Sequence, residues 1–344
     1  NNNKNTISGG NYMKKLLTIL TSLIILVISL SACNSNMSDK PKIGVCLYKY
    51  DDTYISTVRQ ELEKLAKDNA ELYLNDGKGD QGTQNDQIDL LIQKNVDVLV
   101  VNLVDVGAAQ TVINKAKNAD IPIIFFNREP SAEALKSYDK AVFIGTNAKE
   151  AGIIQGEIVV KTWNNGEYDK NKDGILQYVM LKGEPDNPEA VARTDYSVKT
   201  IKENGIDVEE LGLQVCNWDT ELANSAMSGW LTKYGDKIEF VIANNDAMAQ
   251  GAVSALQSLG YNKGDKNKYI PVVGVDATDA AKDLISKGYM TATVLQDGKA
   301  MAEAINNIAI NVSKGSEFLM GTIYNFDDSG KAVRIPYKSY EGEK

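Results

Sequence analysis

Apolar positions along the chain follow two alternating rhythms. Short runs rich in β-branched residues, at 43–48, 72–74, 96–103, 121–127 and Ala141–Gly145, read as strands. Between them, apolar residues recur with helical spacing. Val58, Leu62 and Leu65 share one stripe of a helix ending at Ala66, and further helices are expected at 84–93 and 108–116. After Ala148 the pattern starts again. A helix over 148–163 leads to strands at 177–181, 211–216, 238–244, 270–275 and 290–295, with helices at 188–203, 220–233, 247–258, 278–286 and 299–312. Strands separated by helices in this way form parallel sheets covered on both faces. The predicted fold class is α/β, with two doubly wound parallel-sheet lobes. An internal echo supports one lobe plan used twice. Val98-Leu-Val-Val-Asn102 leads through a helix to Ile121-Pro-Ile-Ile-Phe125, as Phe240-Val-Ile-Ala-Asn244 leads to Ile270-Pro-Val-Val-Gly274. Two such lobes face to face make a cleft, and ligands of these sheets bind at the carboxyl ends of the strands.

The N-terminal segment reads as an address. Met13 is followed by Lys14, Lys15 and an apolar run from Leu16 to Leu30, shorter than the ~20 residues of a membrane span. The run ends in Leu30-Ser31-Ala32-Cys33, which resembles a bacterial lipobox and implies cleavage before Cys33 and lipidation of its thiol. Residues 13–32 are then a lipoprotein signal peptide and 33–41 a polar tether. This places the protein on the extracytoplasmic face of a cell membrane, the arrangement of a low-GC Gram-positive bacterium. Residues 1–12 precede the better start at Met13; Ser8-Gly9-Gly10 reads as a translated ribosome-binding site, so 1–12 is expected to be a non-native leader.

Composition narrows the chemistry. A length of 344 residues suits two domains. The net charge of −9 argues against nucleic acid. Removal of 1–32, which carries Lys4, Lys14 and Lys15 and no acid, takes the charge to −12. The absence of His removes Ser-His-Asp and Cys-His triads and HExxH zinc sites. Three Cys do not make a disulfide scaffold. With Cys33 assigned to lipid, Cys46 reads as a small core residue, and a Cys46–Cys216 bridge stays open.

Polar residues gather where strands are expected to end: Asp51, Asp52 and Tyr54; Asn127, Arg128 and Glu129; the stretch from Glu184 to Arg193; Trp218 and Asp219; Asn244, Asn245 and Asp246; Asp276; Gln296 and Asp297. Carboxylates and amides can pair with adjacent hydroxyls, each of which donates and accepts, and aromatic faces cover apolar C–H surface. The set suits a neutral polyhydroxylated ligand. Each position also reads as a helix cap or turn residue. Asp51 and Asp52 are adjacent on an extended segment and point apart, which argues against a carboxylate pair for catalysis.

Asp169-Lys-Asn171-Lys-Asp173-Gly174 matches the start of a calcium loop, with oxygen ligands at alternate positions and a Gly at the sharp turn. The twelfth position, where an EF-hand needs a bidentate Glu, is Met180, and the loop runs into a strand. Either a distant carboxylate completes the shell or the loop is a metal-free turn.

Six stretches resemble the galactose/glucose-binding proteins of bacterial sugar transport and chemotaxis, within the type I periplasmic binding protein fold. They are Tyr48-Lys-Tyr-Asp-Asp52, Gln84-Asn-Asp-Gln-Ile-Asp89, Ile124-Phe-Phe-Asn127-Arg-Glu-Pro130, Leu181-Lys-Gly-Glu-Pro185, Ile242-Ala-Asn-Asn-Asp-Ala-Met248 and Val273-Gly-Val-Asp276. The resemblance spans about 42–337. It implies a multi-strand hinge near Thr146, Gln296 and Arg334, with one lobe at 42–146 plus 297–334 and the other at 147–296 plus 335–344. It implies sugar contacts from Asp52, Asn127, Asn187, Glu189, Arg193, Asn245, Asp276 and Gln296, with Tyr54 and Trp218 stacking on opposite faces. It implies calcium held by Asp169, Asn171, Asp173, Ile175 through its carbonyl, Gln177 and the distant Glu239. Its implied partners are a monosaccharide, D-glucose or D-galactose, the membrane subunits of an ABC permease, and a chemoreceptor. A monomer is implied, with no nucleic acid and no membrane contact beyond the lipid.

Four positions depart from that family: Asn187 stands in place of His, Glu189 of Asp, Gln296 of Asn and Tyr54 of Phe. Glu189 and Gln296 are each one methylene longer, so the hydroxyls they reach differ. A receptor for another monosaccharide, a pentose or an altered hexose, is the alternative. A glycosidase needs two carboxyl groups about 5–5.5 Å apart across the scissile bond for retaining chemistry. The enzyme class is not expected.

Overall fold

The strand–helix alternation is realised as two six-stranded sheets with nearly superimposable orders. In the computed structural model, which describes residues 40–342, the strands are β1 Lys42–Leu47, β2 Glu71–Asp76, β3 Val98–Val101, β4 Ile123–Phe126, β5 Ala141–Gly145, β6 Ile175–Lys182, β7 Asp207–Val215, β8 Phe240–Ala243, β9 Val272–Asp276, β10 Ala292–Leu295, β11 Ala332–Arg334 and β12 Lys338–Tyr340. The helices are α1 Thr53–Ala66, α2 Gln81–Gln93, α3 Ala109–Asn118, α4 Ala132–Lys136, α5 Ala148–Asn165, α6 Pro188–Glu203, α7 Thr220–Tyr234, α8 Asp246–Ser258, α9 Asp279–Ser286 and α10 Gly298–Ser313. The leader, the signal peptide and Cys33, with all of the tether before Lys40, lie outside the described residues.

The first sheet runs β11-β5-β4-β3-β1-β2 and the second β12-β10-β9-β8-β6-β7. Strand for strand, β1–β5 repeat as β6–β10, so the echo seen around β3–β4 and β8–β9 extends to the whole lobe. The sixth strands break the symmetry: β11 joins parallel to β5, whereas β12 joins antiparallel to β10. Central strands β3, β4, β5, β8 and β9 are buried residue after residue, as expected of parallel strands covered on both faces.

Two helices change lobes. Helix α5 follows β5 of the first sheet, yet its Ala151, Ile158 and Val159 pack with Tyr178, Ile242, Val273 and Val294 of the second. Helix α10 follows β10 of the second sheet, yet its Met301, Ala302, Ile305 and Ile308 pack with Val45, Val100 and Ile124 of the first. The chain therefore crosses between sheets at Thr146–Asn147, at Gln296–Asp297 and between β11 and β12. The short elements α4, β11 and β12 were not expected from the sequence; runs of three to five residues carry no readable period.

Cys46 lies buried in β1, where burial pushes its thiol up to about 12, and Cys216 is buried after β7. Both are free, so the open disulfide pairing is not formed. Among the described residues no helix is long and apolar enough to cross a membrane.

Candidate functional site

The ten residues assigned to ligand binding, Asp52, Tyr54, Asn127, Asn187, Glu189, Arg193, Trp218, Asn245, Asp276 and Gln296, all line one cavity. The cavity sits between the sheets, at the carboxyl ends of their strands. Tyr48, Ile55 and Arg128 complete its wall. At three of these positions the cap reading holds, and the capping residue also lines the cavity. Asp52 caps α1 by accepting from Ile55 N at 2.8 Å, Asn187 caps α6 by accepting from Glu189 N at 3.0 Å, and Asn245 caps α8 by accepting from Met248 N at 2.9 Å. Each cap fixes its side chain at a helix start, and the parallel sheet aims that start at the cleft.

Arg193 is the centre of the second lobe's wall. It is only 3% exposed. Its Nη1 donates to Asn244 O at 2.8 Å, and its Nη2 donates to Gln296 Oε1 at 3.0 Å and to Tyr337 Oη at 2.9 Å. Glu189, one turn earlier on α6, pairs with it at 3.2 Å. Burial works against the Arg193 charge, but Tyr337, Glu189 and Asp276 outweigh it and the net displacement is upward. Asp276 moves the other way for a carboxylate: burial pushes it well above the usual range, Arg193 opposes this, and Asp246 and Asp52 add to it. Asp246 itself, buried behind Asp276, is pushed up to about 7 by desolvation, against hydrogen bonds from Thr293 and Thr278.

Three donors at this wall have no partner: Arg193 Nε, Trp218 Nε1 and Gln296 Nε2. Buried polar groups are rarely left unpaired. The backbone is also strained here. Trp218 has φ 65, Asp276 φ 128 and Ala277 φ 57, all in the left-handed region that non-glycine residues avoid at a cost of about 1–3 kcal/mol each. The Trp218 indole lies against Gly183; a Cβ there would stand 2.4 Å from the ring.

The first lobe's wall is built around Tyr48. Its hydroxyl donates to Asp52 Oδ2 at 2.5 Å, and the Arg128 guanidinium lies 3.6 Å from its ring centroid. Arg128 also donates to Val104 O at 2.9 Å and reaches across the cleft to Glu184 at 2.9 Å. Glu184 in turn accepts from Asn187 Nδ2 at 3.2 Å. Arg128 was read among the polar residues at strand ends and Tyr48 only within a longer motif; neither was assigned to the ligand. Tyr337 was missed, because nothing in its local sequence marks it; the third crossing alone brings it beside Arg193.

The loop at 169–177 folds around its own oxygens. Asp169 accepts from Asp173 N at 3.1 Å and from Gly174 N at 2.9 Å, and Asp173 accepts from Ile175 N at 2.8 Å. Lys172 at φ 61 and Gly174 at φ 77 make the sharp turn. Glu239, just before β8, accepts from Lys170 N at 2.7 Å and Gln177 N at 3.1 Å, so it stands against both ends of the loop. Asn171 and Gln177 turn their amide nitrogens to Asp173 Oδ2 at 2.8 and 2.9 Å. The same two side chains with their amides turned over present two oxygens there instead. Among the described residues no three His, Cys, Asp or Glu side chains are placed to hold a metal by themselves. The amide and backbone oxygens must join the carboxylates, and such an all-oxygen mixed set fits a hard cation.

The chain is similar to known proteins along most of its length. A model of a periplasmic binding protein domain matches residues 43–317. The D-galactose/methyl-galactoside binding periplasmic protein MglB of Haemophilus influenzae is 40% identical over 329 residues, 94% of this chain and 96% of that protein. A putative rhizopine-binding protein of Rhizobium meliloti is 30% identical over 277 residues, 79% of this chain and 84% of its own. Among solved structures, an ABC transporter solute binding protein from Bacillus halodurans with bound myo-inositol has a TM-score of 0.73 at 26% identity, covering 89% of this chain and 96% of that one. These relatives are binding proteins, not enzymes. The resemblance read from the motifs and the two-lobe α/β fold class both hold, and the chain belongs to the periplasmic binding protein family.

Proposed function

We propose that this protein captures a monosaccharide of the glucose/galactose class between its lobes and delivers it to the membrane subunits of an ABC permease. The observation that carries the reading is that the ten residues the resemblance implies, drawn from both sheets, line one cavity whose wall holds three unpartnered donors. In the mechanism, Asp52 and Asp276 accept from sugar hydroxyls while Arg193, Asn127, Asn187 and Asn245 donate. Tyr54 and Trp218 cover the two faces of the ring. Hydrogen bonds to charged groups contribute about 1.5–3 kcal/mol each when water is excluded. A ligand that bridges both lobes favours the closed form by its differential affinity for it, and the permease reads that form. The lipid on Cys33 keeps the receptor at the membrane, and the same closed form suits a chemoreceptor.

Isothermal titration with D-glucose, D-galactose, D-ribose and D-xylose tests the ligand class. A hexose is expected to bind with Kd near the micromolar range, about −8.2 kcal/mol. No heat from either hexose overturns the assignment. A receptor for another monosaccharide is the second reading, and Glu189 favours it, because it is one methylene longer than the family's Asp and each of its oxygens already accepts a hydrogen bond, one from Thr146 and one from Tyr337. A pentose binding more tightly than either hexose selects that reading.

Calcium is proposed for the loop, held by Asp169, Asn171, Asp173, Gln177, Glu239 and the Ile175 carbonyl; bound there it supplies charge neutralisation and rigidity. Chelation is expected to lower Tm while leaving the sugar Kd within about twofold. Calcium at 100 times its own Kd adds about 2.7 kcal/mol of stability. An unchanged Tm on adding calcium to chelated protein removes the site.

A further inference from the structure

All three segments that cross between the lobes send a side chain to one ion pair. Thr146, from the first crossing, donates its hydroxyl to Glu189 Oε1 at 2.8 Å. Gln296, from the second, accepts from Arg193 Nη2 at 3.0 Å. Tyr337, from the third, receives Arg193 Nη2 at 2.9 Å, and its hydroxyl lies 3.0 Å from both Glu189 Oε2 and Thr146 Oγ1. Thr146 and Tyr337 are buried and lie outside the cavity wall, whereas Glu189, Arg193 and Gln296 line it. Helix α6 thus presents a pair whose one side faces the ligand space and whose other side gathers the hinge.

We propose that Glu189 is a positioning residue: it holds Arg193 and the three crossings in the closed arrangement, and it sets how long a ligand stays without selecting which ligand. The extra methylene relative to Asp is what lets its carboxylate reach Thr146 and Tyr337. This rests on the reading of the cavity as a sugar site that closes by a hinge. The distinction matters chemically. A carboxylate that contacts a hydroxyl discriminates among sugars, whereas one that braces a hinge scales every affinity by the same factor.

The test uses Tyr337→Phe and Thr146→Val, with Thr146→Ser as the conservative control, in the full chain. D-galactose and D-glucose are the probes, and dissociation is followed by stopped-flow fluorescence of Trp218. Each of the first two variants is expected to raise the dissociation rate about fivefold to tenfold, the size of one lost buried hydrogen bond, with the association rate within twofold. Thr146→Ser is expected to restore the rate. Glu189→Gln is expected to weaken both sugars equally, and its effect is expected to be non-additive with Tyr337→Phe, since both act on one network. Dissociation rates unchanged in Tyr337→Phe and Thr146→Val, or a changed galactose-to-glucose ratio in Glu189→Gln, overturn the proposal. Absence of binding by the unmodified protein counts instead against the sugar reading. Circular dichroism at the titration temperature separates folded variants from unfolded ones.

Discussion

The two lobes carry the same five-strand repeat, yet they furnish the cavity unequally. Their matched positions make the difference legible. Asn102 follows β3 and Asn244 follows β8. Both are fully buried, and both tie the residues after their lobe's first strand: Tyr48 N donates to Asn102 Oδ1 at 3.3 Å, and Gly183 N donates to Asn244 Oδ1 at 3.0 Å. The backbone carbonyls of this pair then diverge. Asn102 O accepts from Gln84, a neutral amide, whereas Asn244 O accepts from Arg193. In the first lobe, residues from β1 and β4 reach the cavity; in the second, residues follow β6, β7, β8, β9 and β10. Left-handed backbone at bulky Trp218 and at Asp276 belongs to the second lobe, while the first has only Asn127 at φ 61 on the wall, a residue type that tolerates it. One scaffold thus gives a lightly charged half-site built on a cap and a preorganised half-site built on a buried ion network.

The largest expected effect sets one Arg against the other. Arg193→Met leaves Glu189 and Asp276 buried without their cation. Removing one partner of a buried pair costs about 3–5 kcal/mol, so binding of D-galactose should become undetectable at millimolar sugar and Tm should fall. Arg128→Met breaks a pair with Glu184 in which the Arg128 side chain is 5% exposed and that of Glu184, at the cleft mouth, 32%. A pair with one solvated partner contributes less than a fully buried one, so the loss should be smaller than for Arg193, about tenfold. Titration calorimetry on both variants decides. Equal losses would mean that the lobes share the work, and the asymmetry drawn here would be abandoned.

The next contrast sets the two carboxylates apart. Asn caps a helix as well as Asp, so Asp52→Asn should keep α1 and its Tm while weakening binding by about tenfold or more, the loss of a charge-assisted bond. Asp276→Asn should weaken binding similarly but behave differently with pH. Burial raises the folded pKa of Asp276 above its unfolded value. Such a carboxylate contributes stability that is present at acid pH, below its unfolded pKa of about 3.9, and is lost as pH rises through the folded value. The variant should therefore show a flatter fall of Tm with rising pH than the parent. A steeper fall, or identical profiles, would remove the burial argument for the second lobe.

Why could the cavity be read from the chain while parts of its frame could not? Strand ends announce themselves: β-branched runs stop, a cap residue follows, and parallel topology sends every such end to one side. Asp52, Asn187 and Asn245 were legible for that reason, and the echo of β3–β4 in β8–β9 gave the second lobe. The lobe exchange of α5 and α10 was not legible from periodicity, because a helix's apolar stripe does not say which sheet it covers. Nor was the hinge cluster. Thr146, Gln296 and Tyr337 are remote in sequence, and only the three crossings bring them to one ion pair. The extra methylene at Glu189 was visible as a departure, but its destination, the hinge, depends on Tyr337, for which no local signal exists.

The smallest effect compares two equivalent caps. Ser131 starts α4 after β4, accepting from Ala134 N at 3.2 Å, and Thr278 starts α9 after β9, accepting from Ala281 N at 3.3 Å. Loss of either cap costs about 1 kcal/mol of stability. Ser131 touches nothing of the cavity, so Ser131→Ala should lower Tm slightly and leave Kd unchanged. Thr278 also donates its hydroxyl to Asp246 Oδ2 at 3.3 Å, and Asp246 stands behind Asp276. Thr278→Ala should therefore lower Tm somewhat more and weaken binding about twofold to threefold, less than one full hydrogen bond because the Thr278 backbone N–H keeps its 2.8 Å bond to the same oxygen. Equal Kd values for the two variants would confine the preorganised network to residues that touch the cavity; unequal values, with Thr278→Ala the weaker binder, would extend it one layer into the second lobe.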